Sequence, residues 1–207
     1  MKQILCFGDS NTYGYVPKEG TRFPFEIRWT GILDKLVRDD GYRIIEEGLV
    51  GRTTVFEDPL RVGRKGAALL PTILESHKPI NFIILMLGTN DCKTIYNASA
   101  KVIGKGLETL VQQILTEKVP PKVLLISPIW LGENVGEPGF DPEFNQESVE
   151  KSKKLKAVYR KIAKQYSCEF LAASDYAVAS EEDREHMNAQ EHQKLADAIY
   201  NKIQGWL

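Results

Sequence analysis

The stretch Gln-Ile-Leu-Cys-Phe-Gly-Asp-Ser-Asn-Thr-Tyr-Gly, residues 3–14, decides the fold. Its apolar run from Ile4 to Phe7 is continuous rather than alternating, which is typical of a strand covered on both faces in a parallel sheet. The run stops at Gly8, whose backbone freedom suits a tight turn, and Ser10 follows where a helix would begin. Open α/β sheets bind ligands at this carboxyl edge, so the hydroxyl of Ser10 is a candidate functional group. The alternative is that Ser10 only caps the helix.

The rest of the chain alternates predicted strands and helices. Further strands are predicted at 42–46, 81–87, 122–127 and 168–171, and amphipathic helices at 25–40, 65–77, 98–117, around 155–163 and at 189–203. Five strands and five helices, without a linker or an internal repeat, predict one doubly wound α/β domain over residues 1–207. Between them, the irregular segment 131–144 is predicted to be a lid or a binding loop, because long loops in compact domains are often functional.

Composition limits the classes of partner. The chain has 27 basic and 28 acidic residues, a net charge of -1 and no basic tract, so we expect no binding to nucleic acid or to an anionic membrane. No apolar run reaches membrane-spanning length and no signal peptide is recognised, which predicts a cytoplasmic protein. Cys6, Cys92 and Cys168 lack metal-ligand spacing and are predicted to be core residues in a reducing compartment. The histidine spacing predicts no zinc site.

Polar residues follow several predicted strands at the same edge of the sheet. Acyl transfer needs a nucleophile, a base, a carboxylate that orients the base, and donors for the oxyanion. Ser10 is the candidate nucleophile, His186 the base and Asp183 the orienting carboxylate; the backbone N–H groups of Ser10 and Gly51 and the side-chain amide of Asn90 are the candidate donors. Each residue also has an ordinary explanation: a turn for Gly51, a helix cap for Asn90, a polar loop side chain for His186. Their joint occurrence favours the catalytic interpretation.

Four segments, in this order along the chain, resemble the conserved blocks of the SGNH, or GDSL-type, hydrolases. They are Gly-Asp-Ser-Asn-Thr at 8–12, Gly51 within 48–54, Gly-Thr-Asn-Asp at 88–91 and Asp-Arg-Glu-His at 183–186. Asn11, together with 28–31 and 47–49, looks more like the bacterial aryl-esterase and acyltransferase branch. The resemblance spans almost the whole chain.

This resemblance implies a flavodoxin-like sheet and a serine esterase mechanism without metal or cofactor. It implies an open site for small acyl esters and a homo-oligomer. It also implies that Ser10, Asp183 and His186 are catalytic and that Ser10, Gly51 and Asn90 form the oxyanion hole. Two residues depart from the family pattern, Met187 for a usual Leu and Glu191 for a frequent Gly, and Glu185 is a second carboxyl group beside His186.

The choice of substrate depends on the loops around this edge. The candidate pocket walls are aromatic residues near the strand ends, although aromatic side chains are more often core than pocket: Tyr13, Phe56, Trp130, Phe140 and Phe144. The acidic segment 131–144 is expected to disfavour anionic substrates. We therefore predict a small neutral ester with a short, acetyl-like acyl chain, and water or an alcohol as acyl acceptor. The alternatives are a carbohydrate acetylesterase, a thioesterase, or a non-catalytic flavodoxin-like module that only binds a ligand.

Overall fold

A five-stranded parallel sheet forms the centre of the molecule, and the computed structural model describes all 207 residues. The strands are β1 (Lys2–Gly8), β2 (Tyr42–Gly48), β3 (Phe82–Met86), β4 (Lys122–Ser127) and β5 (Glu169–Ala172). They lie in the order β2-β1-β3-β4-β5, and every neighbouring pair is parallel. Gly8 is in register with Gly48 of β2 and Met86 of β3, so the carboxyl ends of these three strands meet at one edge.

Six α-helices connect and follow the strands. They are α1 (Ser10–Tyr13), α2 (Trp29–Val37), α3 (Gly66–Ser76), α4 (Ala100–Leu115), α5 (Gln146–Gln165) and α6 (Ala189–Ile203), with short 3-10 helices at Asn90–Cys92, Thr94–Tyr96, Ala173–Asp175 and Gln204–Trp206. The helix predicted over 25–40 begins later, at Trp29. Its first residues form a turn closed by the Ile27 N–H and the Pro24 carbonyl, and Arg28 is extended. No helix is both long enough and apolar enough to cross a membrane.

Each face of the sheet carries its own apolar core. In β1, Leu5 and Phe7 belong to a cluster of 25 buried residues with α3, α4 and α5, whereas Ile4 and Cys6 belong to a cluster of 21 with α2 and α6. Since both faces are covered, successive residues of β1 from Ile4 to Phe7 are all apolar, which explains the continuous run in the sequence. The strand order is that of flavodoxin-like folds, and the predicted doubly wound α/β architecture is confirmed.

The irregular segment 131–144 is tied to the loops at the carboxyl edge. The Gly132 N–H donates to the Arg184 carbonyl at 2.7 Å, and the Glu143 carbonyl accepts the Thr94 N–H at 2.8 Å. Three of its apolar side chains are buried: Leu131, Val135 and Phe144. The segment therefore links the loop that carries His186 with the loop that follows β3.

Candidate active site

Ser10 stands at the first position of α1, directly beyond the carboxyl end of β1. The side chain of Asp9, not that of Ser10, caps this helix by accepting the Asn11 N–H at 3.0 Å. The alternative that Ser10 is only a helix cap is therefore wrong. Burial raises the pKa of Asp9 to about 6, partly offset by the hydrogen bond from Asn11 and by the charge of His186. The Ser10 hydroxyl takes no part in this cap.

Ser10, His186 and Asp183 form a continuous line of hydrogen bonds. The Nε2 atom of His186 lies 2.9 Å from Ser10 Oγ, and its Nδ1 atom lies 2.7 Å from Asp183 Oδ2. The other oxygen of Asp183 accepts the backbone N–H groups of Glu185 and His186 at 3.0 and 2.9 Å. These distances are those at which a base can take a hydroxyl proton while a carboxylate holds its far nitrogen.

Contacts from the first loop hold the His186 segment in place. The side-chain amide of Asn11 forms two hydrogen bonds with this segment. Its oxygen accepts the Met187 N–H at 3.0 Å, and its nitrogen donates to the Glu185 carbonyl at 3.3 Å. The Tyr15 ring lies against the imidazole with a centroid distance of 4.3 Å. Asn11 appeared in the sequence only as a mark of the family branch, and no sequence signal pointed to Tyr15.

The charges around His186 favour its protonated form. Burial lowers the pKa of His186, but the carboxyl groups of Glu185 and Asp183 more than offset this, so the net pKa lies above the ordinary histidine value. Burial raises the pKa of Asp183, but its hydrogen bonds from His186 and from the backbone outweigh the effect and leave the pKa below the ordinary aspartate value. Asp183 is therefore ionised wherever His186 can act as a base.

The candidate oxyanion donors lie on the loops after β1, β2 and β3. Asn90 donates one amide N–H to the Arg52 carbonyl at 3.1 Å; since an amide carries two such groups, the second is left for another acceptor. Gly51 has a φ of +80°, and a Cβ at this position would lie 3.0 Å from the guanidinium carbon of Arg61. Gly51 is thus a turn residue that only glycine fills without strain, and its N–H donates to no acceptor in the chain.

A buried clamp joins the Gly51 loop to the Asn90 loop. Asp91 is fully buried, and its carboxylate accepts the Thr54 N–H at 3.0 and 3.1 Å as well as the Thr54 hydroxyl. Burial raises the pKa of Asp91 to about 7, and the bonds from Thr54 act in the opposite direction. Arg52 adds a second tie, since its Nη1 donates to the Gly8 carbonyl at 2.9 Å. The three strand-end loops are therefore cross-linked.

Charged side chains border the Gly51 loop. Arg61 bonds Asp58 at 3.0 Å and Glu143 at 3.3 Å, and the buried Lys93 Nζ bonds the same Glu143 oxygen, Oε2, at 2.6 Å. This network brings segment 131–144 against the Gly51 and Asn90 loops. It gives that side of the site a polar border; the sequence indicated the acidic segment 131–144 but not its pairing with Arg61 and Lys93.

The five predicted pocket residues lie in different places. Tyr13 is covered by Arg22, Phe56 stacks on Tyr96, Trp130 is 42 % exposed beside Leu131 and Val178, Phe140 lies under Arg184, and Phe144 is a core residue. Phe140 thus contacts Arg184, which lies two residues before His186. The structure thus does not gather the five around Ser10. No group of three or more His, Cys, Asp or Glu side chains is arranged to hold a metal ion.

Comparisons with known proteins show what the whole chain is similar to. The family model described as GDSL-like lipase/acylhydrolase matches residues 6–194. The chain belongs to this family. No curated protein matches the GDSL-like hydrolase significantly. Among solved structures, it is similar to a carbohydrate acetylesterase from Sinorhizobium meliloti, with 38% identity, a TM-score of 0.91 and full coverage of both chains. It is also similar to the native M. smegmatis aryl esterase, with 33% identity, a TM-score of 0.93 and full coverage of both chains.

These matches confirm the family resemblance found in the sequence. They also confirm the prediction that this GDSL-like hydrolase is a carboxylic ester hydrolase. The geometry at Ser10 bears on three finer properties: the roles of individual residues, the acyl group of the substrate and the acyl acceptor.

Proposed function

We propose that the protein is a serine esterase that removes short acyl groups, acetyl in particular, from small neutral esters. Ser10 Oγ attacks the ester carbonyl while His186 Nε2 takes its proton, and Asp183 holds Nδ1–H and stabilises the imidazolium. The N–H groups of Ser10 and Gly51 and the amide of Asn90 bind the oxyanion. The alcohol leaves with the proton from His186, and water then hydrolyses the acyl group from Ser10.

The observation that carries this proposal is the line of hydrogen bonds from Ser10 through His186 to Asp183, at 2.9 and 2.7 Å. Two further features support a short, neutral acyl group. Ser10 is only 1 % exposed, and the network of Arg61, Glu143 and Lys93 borders the Gly51 loop with polar groups rather than with an apolar channel.

The test is steady-state hydrolysis of p-nitrophenyl esters from acetyl to decanoyl, by the parent protein and by Ser10→Ala. We expect the highest kcat/KM for the shortest chains and loss of activity in the variant. An organophosphonate should label Ser10 stoichiometrically in the parent protein but not in His186→Ala. A preference for decanoyl would contradict the short-chain proposal, and equal rates in the parent protein and Ser10→Ala would contradict Ser10 as nucleophile.

Deacetylation of carbohydrates is the second candidate function. It is favoured by the full-length similarity, at 38% identity, to a carbohydrate acetylesterase. Release of acetate from an acetylated sugar, compared with p-nitrophenyl acetate under the same conditions, tests it. Acyl transfer is tested by adding an alcohol and measuring the new ester against free acid. Three further features stay predictions: thioesterase activity, a homo-oligomer and a cytoplasmic location.

A further inference from the structure

The carboxyl group of Glu185 is a buried group that the proposed mechanism does not use. Its Oε1 atom lies 3.7 Å from His186 Nε2, the same nitrogen that bonds Ser10 Oγ. The backbone of Glu185 is fixed on both sides, since its N–H donates to Asp183 and its carbonyl accepts from Asn11. Glu185 therefore approaches the reacting side of the imidazole in a defined position.

No donor of the chain forms a hydrogen bond with this carboxyl group, although the residue is only 7 % exposed. Lys93, the nearby cation, is engaged by Glu143 at 2.6 Å, and the other charged neighbours, Asp141 and Asp183, are acidic. Tyr15, the further titratable neighbour, lies on the imidazole ring. Burial raises the pKa of Glu185 to about 7, with the charge of His186 acting in the opposite direction. Unlike Oδ2 of Asp9, the carboxyl oxygens of Glu185 are not sealed from solvent, so a ligand in the site can reach this acceptor and take the place of water.

The chemistry of acyl transfer decides which part of the substrate lies here. When Ser10 Oγ bonds to the acyl carbon, the bond from that carbon to the alcohol oxygen breaks, and this oxygen takes the proton from His186 Nε2. The alcohol oxygen must then be within hydrogen-bond distance of Nε2. Because Glu185 lies near the same nitrogen, an alcohol portion that takes the proton from Nε2 comes close to its carboxyl group.

We propose that Glu185 binds the alcohol portion of the substrate and selects esters whose alcohol carries a second hydroxyl group next to the ester oxygen. This inference rests on the proposed esterase function and narrows its substrate class to esters of diols and polyols. The neighbouring hydroxyl donates to Glu185 while the ester oxygen receives the proton from His186. Glu185 neither gains nor loses a proton in this step.

The test compares two acetates that differ in one donor, 2-hydroxyethyl acetate and 2-methoxyethyl acetate, at pH 8. We expect the parent protein to prefer the hydroxyl ester by on the order of tenfold in kcat/KM, the effect of one hydrogen bond to a charged group. Glu185→Ala should abolish the preference, and Glu185→Gln, whose amide oxygen still accepts, should keep part of it. The matched control is Glu182→Gln, an exposed residue of the same loop, which should keep the full preference.

The preference is the ratio of kcat/KM for the two acetates, measured within one variant. A general loss of activity or stability lowers both values equally and therefore cancels in the ratio. Equal ratios in the parent protein and Glu185→Ala would overturn the proposal. A parallel fall for both esters and for p-nitrophenyl acetate would also overturn it, since Glu185 would then act only through His186. A parent protein inactive on all three esters would contradict the proposed function itself, a result distinct from loss of the preference.

Discussion

His186 has a carboxyl group near each of its ring nitrogens, and the two groups do different things. Asp183 bonds Nδ1 at 2.7 Å, whereas Glu185 approaches Nε2 only to 3.7 Å, beyond hydrogen-bond distance. A carboxylate on Nδ1 fixes the tautomer in which Nε2 is free to accept a proton. We therefore infer that Asp183 orients the base and that Glu185 acts at the reacting nitrogen.

Asp183→Asn tests this division between the two carboxyl groups. The amide oxygen can keep the backbone bonds to Glu185 and His186, but the amide NH₂ then faces Nδ1 and favours the tautomer with a proton on Nε2. We expect kcat for p-nitrophenyl acetate to fall on the order of 10³- to 10⁴-fold with little change in thermal stability. A fall of less than about tenfold would mean that another group orients His186. Glu182→Gln, in the same loop, is the control.

The pH profile gives an independent measure of the same charges. His186 must be neutral to act as a base, and its pKa is raised because Glu185, Asp183 and Asp9 outweigh the effect of burial. We expect kcat/KM to rise with pH through a midpoint above the ordinary histidine value. Glu185→Gln removes a carboxylate that stabilises the imidazolium, so the pKa falls and the midpoint moves to lower pH. A midpoint that stays in place would show that Glu185 does not act electrostatically on His186.

The three residues of the hydrogen-bonded line could be predicted from the sequence, but most of those that position them could not. Ser10, Asp183 and His186 are recognisable because few residue types do this chemistry and because Asp183 and His186 are three residues apart. The contact of Asn11 with Met187 joins positions 176 residues apart, and no local pattern encodes it. The same holds for Tyr15 on the imidazole ring. The side-chain direction of Glu185 likewise emerges only from the folded loop.

At the scale of elements, the clamp between Asp91 and Thr54 sets two loops in a fixed relation. Asp91 follows Asn90 in a 3-10 helix, and Thr54 lies three residues after Gly51. Helix α4 covers the clamp closely, since a Cβ at Gly106 would lie 2.2 Å from Thr54 Oγ. This buried pair therefore helps to fix the separation of the candidate oxyanion donors, together with the hydrogen bond from Asn90 to the Arg52 carbonyl.

Thr54→Val removes the hydroxyl donor and keeps the shape of the side chain. We expect the free energy of unfolding to fall by about 1–3 kcal/mol, because Asp91 loses a buried partner. If the clamp positions the oxyanion donors, kcat should fall about tenfold while KM changes little, because the lost interaction acts in the transition state. Thr54→Ser keeps the hydroxyl and should restore kcat. A variant with lower stability but a parental kcat would make the clamp purely structural.

Most strands and helices could be predicted because their periodicity is local, whereas their limits depend on neighbouring backbone geometry. The sequence places Ile32, Leu33, Leu36 and Val37 at helical spacing, yet the extended Arg28 delays the start of α2 to Trp29. Aromatic residues were harder to assign. Phe144 is a core residue whereas Trp130 is exposed, since tertiary packing rather than residue type decides whether a ring lies in the core or on the surface.

At the scale of the whole molecule, the site joins the two ends of the chain. Ser10 follows the first strand and His186 precedes the last helix, and both lie at the same edge of the sheet. On one face, α2 and α6 pack together over the cluster of 21 buried residues, and α6 continues directly from the His186 loop. The position of His186 therefore depends on the stability of this face.

His192 of α6 makes the stability of this face depend on pH. The ring is fully buried, its Nδ1 accepts the Trp29 N–H at 3.3 Å, and Nε2 has no partner. Burial, with smaller contributions from His186 and Arg28, lowers its pKa to about 3. The folded protein thus keeps this histidine neutral at pH 5, while the unfolded chain binds a proton below its ordinary pKa. The stability that the neutral ring contributes is present above that pKa and is lost as the pH falls towards about 3.

His192→Gln removes this titration while the amide oxygen can still accept the Trp29 N–H. We expect the parent protein to lose about 2 kcal/mol of unfolding free energy, relative to the variant, between pH 7.5 and pH 5. Urea unfolding of the parent protein and of His192→Gln, each at pH 7.5 and pH 5, gives the change in unfolding free energy with pH for each protein. The difference between these two changes is the double difference. The titration of Asp9, Asp91 and Glu185 is shared by both proteins and therefore cancels in it. A double difference near zero would mean that the ring of His192 is protonated equally in the folded and unfolded protein.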